Sequence, residues 1–119
     1  EIVEQAIKDA KENAKINNID NTEFIAGDTE IVLDDLINNK NIIPDVVMVD
    51  PPRKGLDEKF INALIKSTPK KIIYISCDVS TLARDLFILK KYYAIKSINF
   101  VDMFPRTYHI ETIVLLTRK

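Results

Sequence analysis

Two short apolar runs, Asp45-Val46-Val47-Met48-Val49-Asp50 and Lys71-Ile72-Ile73-Tyr74-Ile75-Ser76, most restrict what this chain can fold into. Neither alternates polar with apolar residues, so each reads as a strand that is apolar on both faces. Strands of that kind belong to sheets covered by helices on both sides. Around them the spacing turns helical. Phe60, Ile61, Leu64 and Ile65 mark a helix between the two runs, and Leu82, Leu86 and Leu89 mark another after the second. Upstream, Val3, Ala6, Ile7, Ala10 and Ala14 share one helical face opposite Glu4, Lys8, Glu12 and Lys15, predicting an amphipathic helix from almost residue 1. Thr22 to Gly27 reads as a short strand. Ile31, Leu33, Leu36 and Ile37 suggest a second helix, closed by Asn38-Asn39-Lys40-Asn41, and Tyr93–Val101 and Thr112–Thr117 read as two last strands. The alternation predicts an α/β fold with a mostly parallel sheet.

The pattern starts on a helix, where a doubly wound sheet carries a strand first. The only glycines are Gly27 and Gly55, so no Gly-rich phosphate loop is present. The expectation is therefore a single partial domain over residues 1–119, a piece of a longer protein cut just inside a nucleotide-binding fold. A formal net charge of −1 removes any global basic field as an argument for nucleic acid, leaving RNA contacts to local patches. One cysteine excludes an internal disulfide and an all-cysteine metal site within the chain. With no secretory signal and no apolar run near the roughly 18 residues of a membrane span, the expected setting is the cytoplasm, away from membranes.

That lone cysteine follows the second apolar run and precedes the amphipathic stretch from Val79, which places it at a strand's carboxyl end and a helix start. Open α/β sheets bind their ligands at such edges. Taken alone, a cysteine there is a small core residue. Likewise Asp50-Pro51-Pro52 could be a turn after a strand, and Glu111 a solvated strand residue. Asp78 reads as a helix N-cap whatever the function.

Three segments considered together reach further: Asp50-Pro51-Pro52-Arg53; Ser76-Cys77-Asp78 with Thr81-Leu82-Ala83-Arg84-Asp85; and Phe104-Pro105-Arg106-Thr107-Tyr108-His109-Ile110-Glu111. In this order and spacing they resemble the signature segments of the RNA (uracil-5-)-methyltransferase family. The resemblance runs over essentially the whole chain. It implies a Rossmann-like S-adenosylmethionine-dependent methyltransferase sheet whose first strand and Gly-rich loop precede this chain, as would any iron–sulfur cluster.

Carried over position by position, the resemblance makes Cys77 the nucleophile for uracil C6 and Glu111 the base that removes the C5 proton. Asp50 would face cofactor and base, while Glu1 would hold the ribose hydroxyls of S-adenosylmethionine and Asp28 its adenine amino group. From the residues alone, Glu1 and Asp28 read equally as helix-end and turn acids. Arg53, Phe104 and Arg106 would contact substrate. Asp78-Val79 stands where the family often has Asn-Pro, and Arg106 where it often has His. The Leu82–Asp85 and Asp102–Pro105 segments look more like the members that act on 23S rRNA than those that act on tRNA. RNA is thus the implied partner, with no obligate protein partner and no metal. An adenine or guanine amino-methyltransferase needs neither Cys77 nor Glu111, and an inactive RNA-binding module of the same fold is the non-enzymatic alternative.

Overall fold

The computed structural model describes residues 1–40 and 42–119. Asn41, last residue of the segment expected to close the second helix, lies outside the described residues. The chain forms two compact units, Glu1–Asn41 and Ile42–Lys119.

The first unit holds helices α1 (Glu4–Ile16) and α2 (Thr29–Asn38). Ile7 and Ala14, two turns apart on one face of α1, are its buried residues, as the apolar spacing requires. Its N-cap is Val3, which offers no side-chain acceptor, so Glu4 in the first turn is left to favour the helix dipole. The helix therefore starts slightly later than the periodicity predicts. The strand expected over Thr22–Gly27 does not form. Its backbone meets residue 1 through the Gly27 N–H, which donates to the Glu1 carbonyl at 2.9 Å, and one such bond does not make a ladder.

The second unit is a four-stranded sheet in the order β1-β2-β4-β3, with β1 at Val46–Val49, β2 at Lys71–Ser76, β3 at Tyr93–Val101 and β4 at Glu111–Arg118. Helix α3 (Glu58–Ser67) connects β1 to β2, and α4 (Val79–Leu89) connects β2 to β3. Strands β1, β2 and β3 run in one direction, and β4, paired to both β2 and β3, is antiparallel to them. The mostly parallel expectation holds for three of the four strands and departs at β4 for a simple reason. A parallel return needs a crossover the length of a helix, and the loop 102–110 is too short to supply one. Strand β4 turns back and inserts between β2 and β3.

One face of the sheet is the core. Ile72, Tyr74, Val114 and Leu116 are fully buried there, together with Leu64 of α3 and Leu89 of α4. Each such aliphatic side chain contributes about 1.5–3 kcal/mol by leaving water. The other face of β2 and β4, carrying Ile73, Ile75, Ile113 and Leu115, is half-buried. Both helices of this unit start at aspartate caps: the Asp57 side chain accepts from Lys59 N–H, and that of Asp78 from Ser80 and Thr81 N–H. Among the described residues no helix is long and apolar enough to cross a membrane.

Candidate active site

Strand β2 ends in a braced turn. The Ser76 hydroxyl donates to the Asp78 carbonyl at 2.9 Å and accepts from the Asp78 N–H at 3.1 Å, bracketing the backbone of Cys77 from its buried side. Asp78 then takes Ser80 and Thr81 N–H on one carboxylate oxygen at 2.9 and 3.0 Å. The Thr81 N–H is the main reason its carboxyl lies below the usual range; burial opposes it, while the Ser80 N–H, the Thr81 hydroxyl and the Arg53 charge add to it. Cys77 is therefore held between a tied residue and a capped helix, half-buried and not in a disulfide.

Strand register brings the other two reactive groups to the same edge. The β2–β4 ladder ends at Ser76 opposite Thr112, so Cys77, next after β2, and Glu111, the first residue of β4, lie at the same end of the sheet. In the parallel pair Val49 is level with Tyr74, which puts Asp50 one step further along the same edge. Asp50 is exposed and Glu111 half-buried.

The loop carrying Asp50 and Arg53 is clamped to α4. The Thr81 hydroxyl donates to the Arg53 carbonyl at 3.0 Å, and Arg84 Nη2 to the carbonyls of Lys54 and Leu56 at 2.9 and 3.2 Å. Asp85 is fully buried and accepts on one oxygen from the Leu56 N–H at 2.8 Å and the Tyr74 hydroxyl at 2.6 Å. Its other oxygen takes Arg84 Nε at 2.9 Å and Nη2 at 2.8 Å. Burial, reinforced by the hydrogen bond to this carboxylate, pushes the Tyr74 phenol well above its usual range. The close approach needs Gly55: its φ is +76°, and a Cβ there would stand 2.7 Å from Asp85 Oδ2 and 2.6 Å from Arg84 Nη2.

Residues 102–110 form the third side. The Phe104 carbonyl accepts from the Thr107 N–H at 3.1 Å and the Thr107 hydroxyl at 2.7 Å, closing a turn with Pro105 and Arg106 at its centre. Proline followed by a positive φ is the type II pattern, and Arg106 has φ +71° where glycine is usual. Arg53 Nη2 donates to His109 Nε2 at 3.1 Å, joining this loop to the clamped one. Because guanidinium can only donate, that nitrogen is the acceptor. The Tyr108 and His109 rings stack tilted, with centroids 4.1 Å apart.

The second unit thus brings Cys77, Glu111, Asp50 and Arg53 to one sheet edge, with Phe104 and Arg106 exposed on the loop leading into β4. Glu1 and Asp28 belong to the first unit. One Glu1 carboxylate oxygen accepts from the Val3 N–H at 2.8 Å, and Asp28 precedes α2, its carbonyl accepting the Val32 N–H at 2.9 Å. Sequence reasoning passed over Tyr74 and gave Arg84 and Asp85 no task. One signal was available: Asp85 sits on the apolar face of α4 among Leu82, Leu86 and Leu89, where a charge needs a reason.

The family model for tRNA (uracil-5-)-methyltransferase matches residues 1–119. The chain belongs to that family. An uncharacterized RNA methyltransferase of Enterococcus faecalis is 51% identical over 119 residues, covering 99% of this chain and 26% of the relative. One from Staphylococcus epidermidis is 53% identical over 119 residues, covering 100% and 26%. The crystal structure of the Pyrococcus abyssi tRNA (uracil-54, C5)-methyltransferase in complex with S-adenosyl-L-homocysteine is similar with a TM-score of 0.79 and 35% identity, over 98% of this chain and 27% of that one. The expected Rossmann-like methyltransferase architecture is therefore correct, and the mixed strand directions are part of it. The chain spans about a quarter of the length of these relatives.

Proposed function

We propose that the protein to which this chain belongs methylates C5 of a uridine in RNA, using S-adenosylmethionine, and that residues 1–119 form part of one catalytic domain of that longer protein. The observation that supports the reading is the pairing of β2 with β4, which ends with the only thiol of the chain and a half-buried carboxylate at the same end of the sheet.

C5 of uracil is a poor nucleophile. Addition of the Cys77 thiolate to C6 moves electron density onto C5, which then accepts the methyl group. S-adenosylmethionine, when bound, supplies that methyl group in electrophilic form. Glu111 then takes the proton from C5, and the electron pair left behind expels the Cys77 thiolate from C6, which restores the ring double bond. Asp50 at the end of β1 faces cofactor and base. The cofactor's ribose hydroxyls and adenine amino group are donors, and the exposed carboxylates of Glu1 and Asp28 are acceptors of matching chemistry. Arg53, Phe104 and Arg106 hold the base and its phosphates, Phe104 by stacking.

The proposed RNA is 23S rRNA, on the strength of the Leu82–Asp85 and Asp102–Pro105 segments; the similarity to a tRNA uracil-54 enzyme favours tRNA as the second reading. We place the enzyme in the cytoplasm, acting without an obligate protein partner. The isolated chain is proposed to be inactive, since it is only a quarter of its relatives' length.

The two roles separate cleanly by substitution. In the full-length enzyme Cys77→Ala should lower methylation by several orders of magnitude and abolish the covalent RNA complex. Glu111→Gln should instead accumulate a methylated covalent adduct. Denaturing electrophoresis with labelled RNA reads both, and a Cys77→Ala enzyme that methylates near the wild-type rate would falsify the thiolate mechanism.

A further inference from the structure

We infer that Asp85 is a positioning residue: its buried carboxylate ties β2 and α4 to the main chain of loop 50–57, and so holds Asp50 and Arg53 at the Cys77–Glu111 edge. The inference rests on the functional reading above and adds to it a group that touches neither substrate nor cofactor.

A fully buried carboxylate is a poor way to stabilise a core. Apolar residues of similar volume usually do as well or better, so the placement of such a charge calls for a reason in what it holds. Here the donors come from three different segments: the Tyr74 hydroxyl from β2 at 2.6 Å, the Leu56 N–H from the loop at 2.8 Å, and Arg84 from α4 at 2.8–2.9 Å. Arg84 is fixed by Asp85 at one side and donates to the Lys54 and Leu56 carbonyls at the other, so the carboxylate also aims the second set of loop contacts. Gly55 lets the loop backbone lie against this pair. The same loop begins at Asp50, and its Arg53 reaches His109 two residues before Glu111. Cys77 is held by Ser76 and the Asp78 cap, whose Thr81 also donates to the Arg53 carbonyl but which makes no bond to Asp85. The clamp therefore governs the loop side of the edge and leaves the thiol side to its own brace.

The test uses Asp85→Asn, Tyr74→Phe and Arg84→Ala in the full-length enzyme, with three measurements on each: hydrogen exchange at the Leu56 amide, kcat for RNA methylation, and the rate of Cys77 alkylation by iodoacetamide. Arg84 is 54% exposed at its side chain, so its removal keeps the test alive should the buried substitution fail to fold. The expected result is faster Leu56 exchange and a kcat about 10- to 100-fold lower, since small misplacements of positioned groups cost that much, with alkylation unchanged. Faster exchange with wild-type kcat overturns the positioning role, as does unchanged exchange. Alkylation that accelerates in step with the loss of kcat also overturns it, because a general loosening then explains both. A wild-type enzyme that forms no covalent RNA complex overturns the functional reading and the positioning role with it; the exchange result would still report the clamp.

Discussion

Loop 50–57 and loop 102–110 deliver residues to the same sheet edge, yet they are held in opposite ways. The first is bonded through its main chain to Thr81, Arg84 and Asp85, and lies so close to α4 that only glycine fits at position 55. The second closes on itself, through the Phe104 carbonyl and Thr107, and leaves Met103 60%, Phe104 50% and Tyr108 89% exposed. Groups that must meet reacting atoms within fractions of an ångström profit from the first arrangement. Side chains that receive a flexible, extruded nucleotide profit from the second. The Arg53–His109 contact joins the two loops through side chains alone.

The strongest way to break this comparison is at Gly55. Gly55→Ala puts a Cβ at φ +76° against a buried carboxylate that cannot retreat, and should lower stability by about 1–3 kcal/mol. Urea denaturation measures it. A loss below a few tenths would show that the loop is not pressed onto α4.

The corresponding change in the other loop should act with the opposite sign. Arg106 has φ +71°, a conformation that costs an ordinary residue about 1–2 kcal/mol, while the extra unfolded freedom of glycine returns part of that. Arg106→Gly should therefore leave the fold as stable or raise it by up to about 1 kcal/mol, while weakening RNA binding by about 1–3 kcal/mol. Destabilisation on urea denaturation would mean the turn is held by contacts of the arginine, and unweakened RNA binding would remove it from the substrate side.

The smallest effect is confined to acid and sharpens the account of the thiol's own brace. Asp78 has a folded-state carboxyl below its ordinary value of 3.8, so it adds stability above that pH and loses it as the pH falls through the lower folded value. Asp78→Asn keeps an acceptor for the helix amides and removes the titration. Its melting temperature should fall less steeply than wild type below about pH 4. Parallel acid limbs in thermal melts would show that the cap bonds do not depend on the charge.

Local pattern made much of this legible. The runs at 45–50 and 71–76 became β1 and β2 because uninterrupted apolar residues suit a strand, although of β1 only Val49 is buried, and Tyr93–Val101 has its expected bounds. Helices α3 and α4 followed from their apolar spacing, and α4 also from its Asp78 cap, while the Asp57 cap of α3 emerged only from the structure. Thr22–Gly27 had a strand's composition, but a strand exists only with a partner. Tyr74 looked like another apolar strand residue, since nothing local reveals that its hydroxyl meets Asp85 in the core.

What the sequence by itself determined, through periodicity and side-chain chemistry, was the set of elements and the residues able to act: one thiol, the acid at 111, the acid and arginine of the Asp50–Arg53 turn. Which of them meet was decided by the tertiary structure alone. Strand β4 enters the sheet between β2 and β3, and that non-local pairing brings Glu111 to the end of the sheet where Cys77 follows β2. Asp85 and Gly55 then fasten Asp50 and Arg53 beside them. Strand order and buried polar contacts join residues far apart in the chain, and their energies depend on packing that no local run of residues encodes.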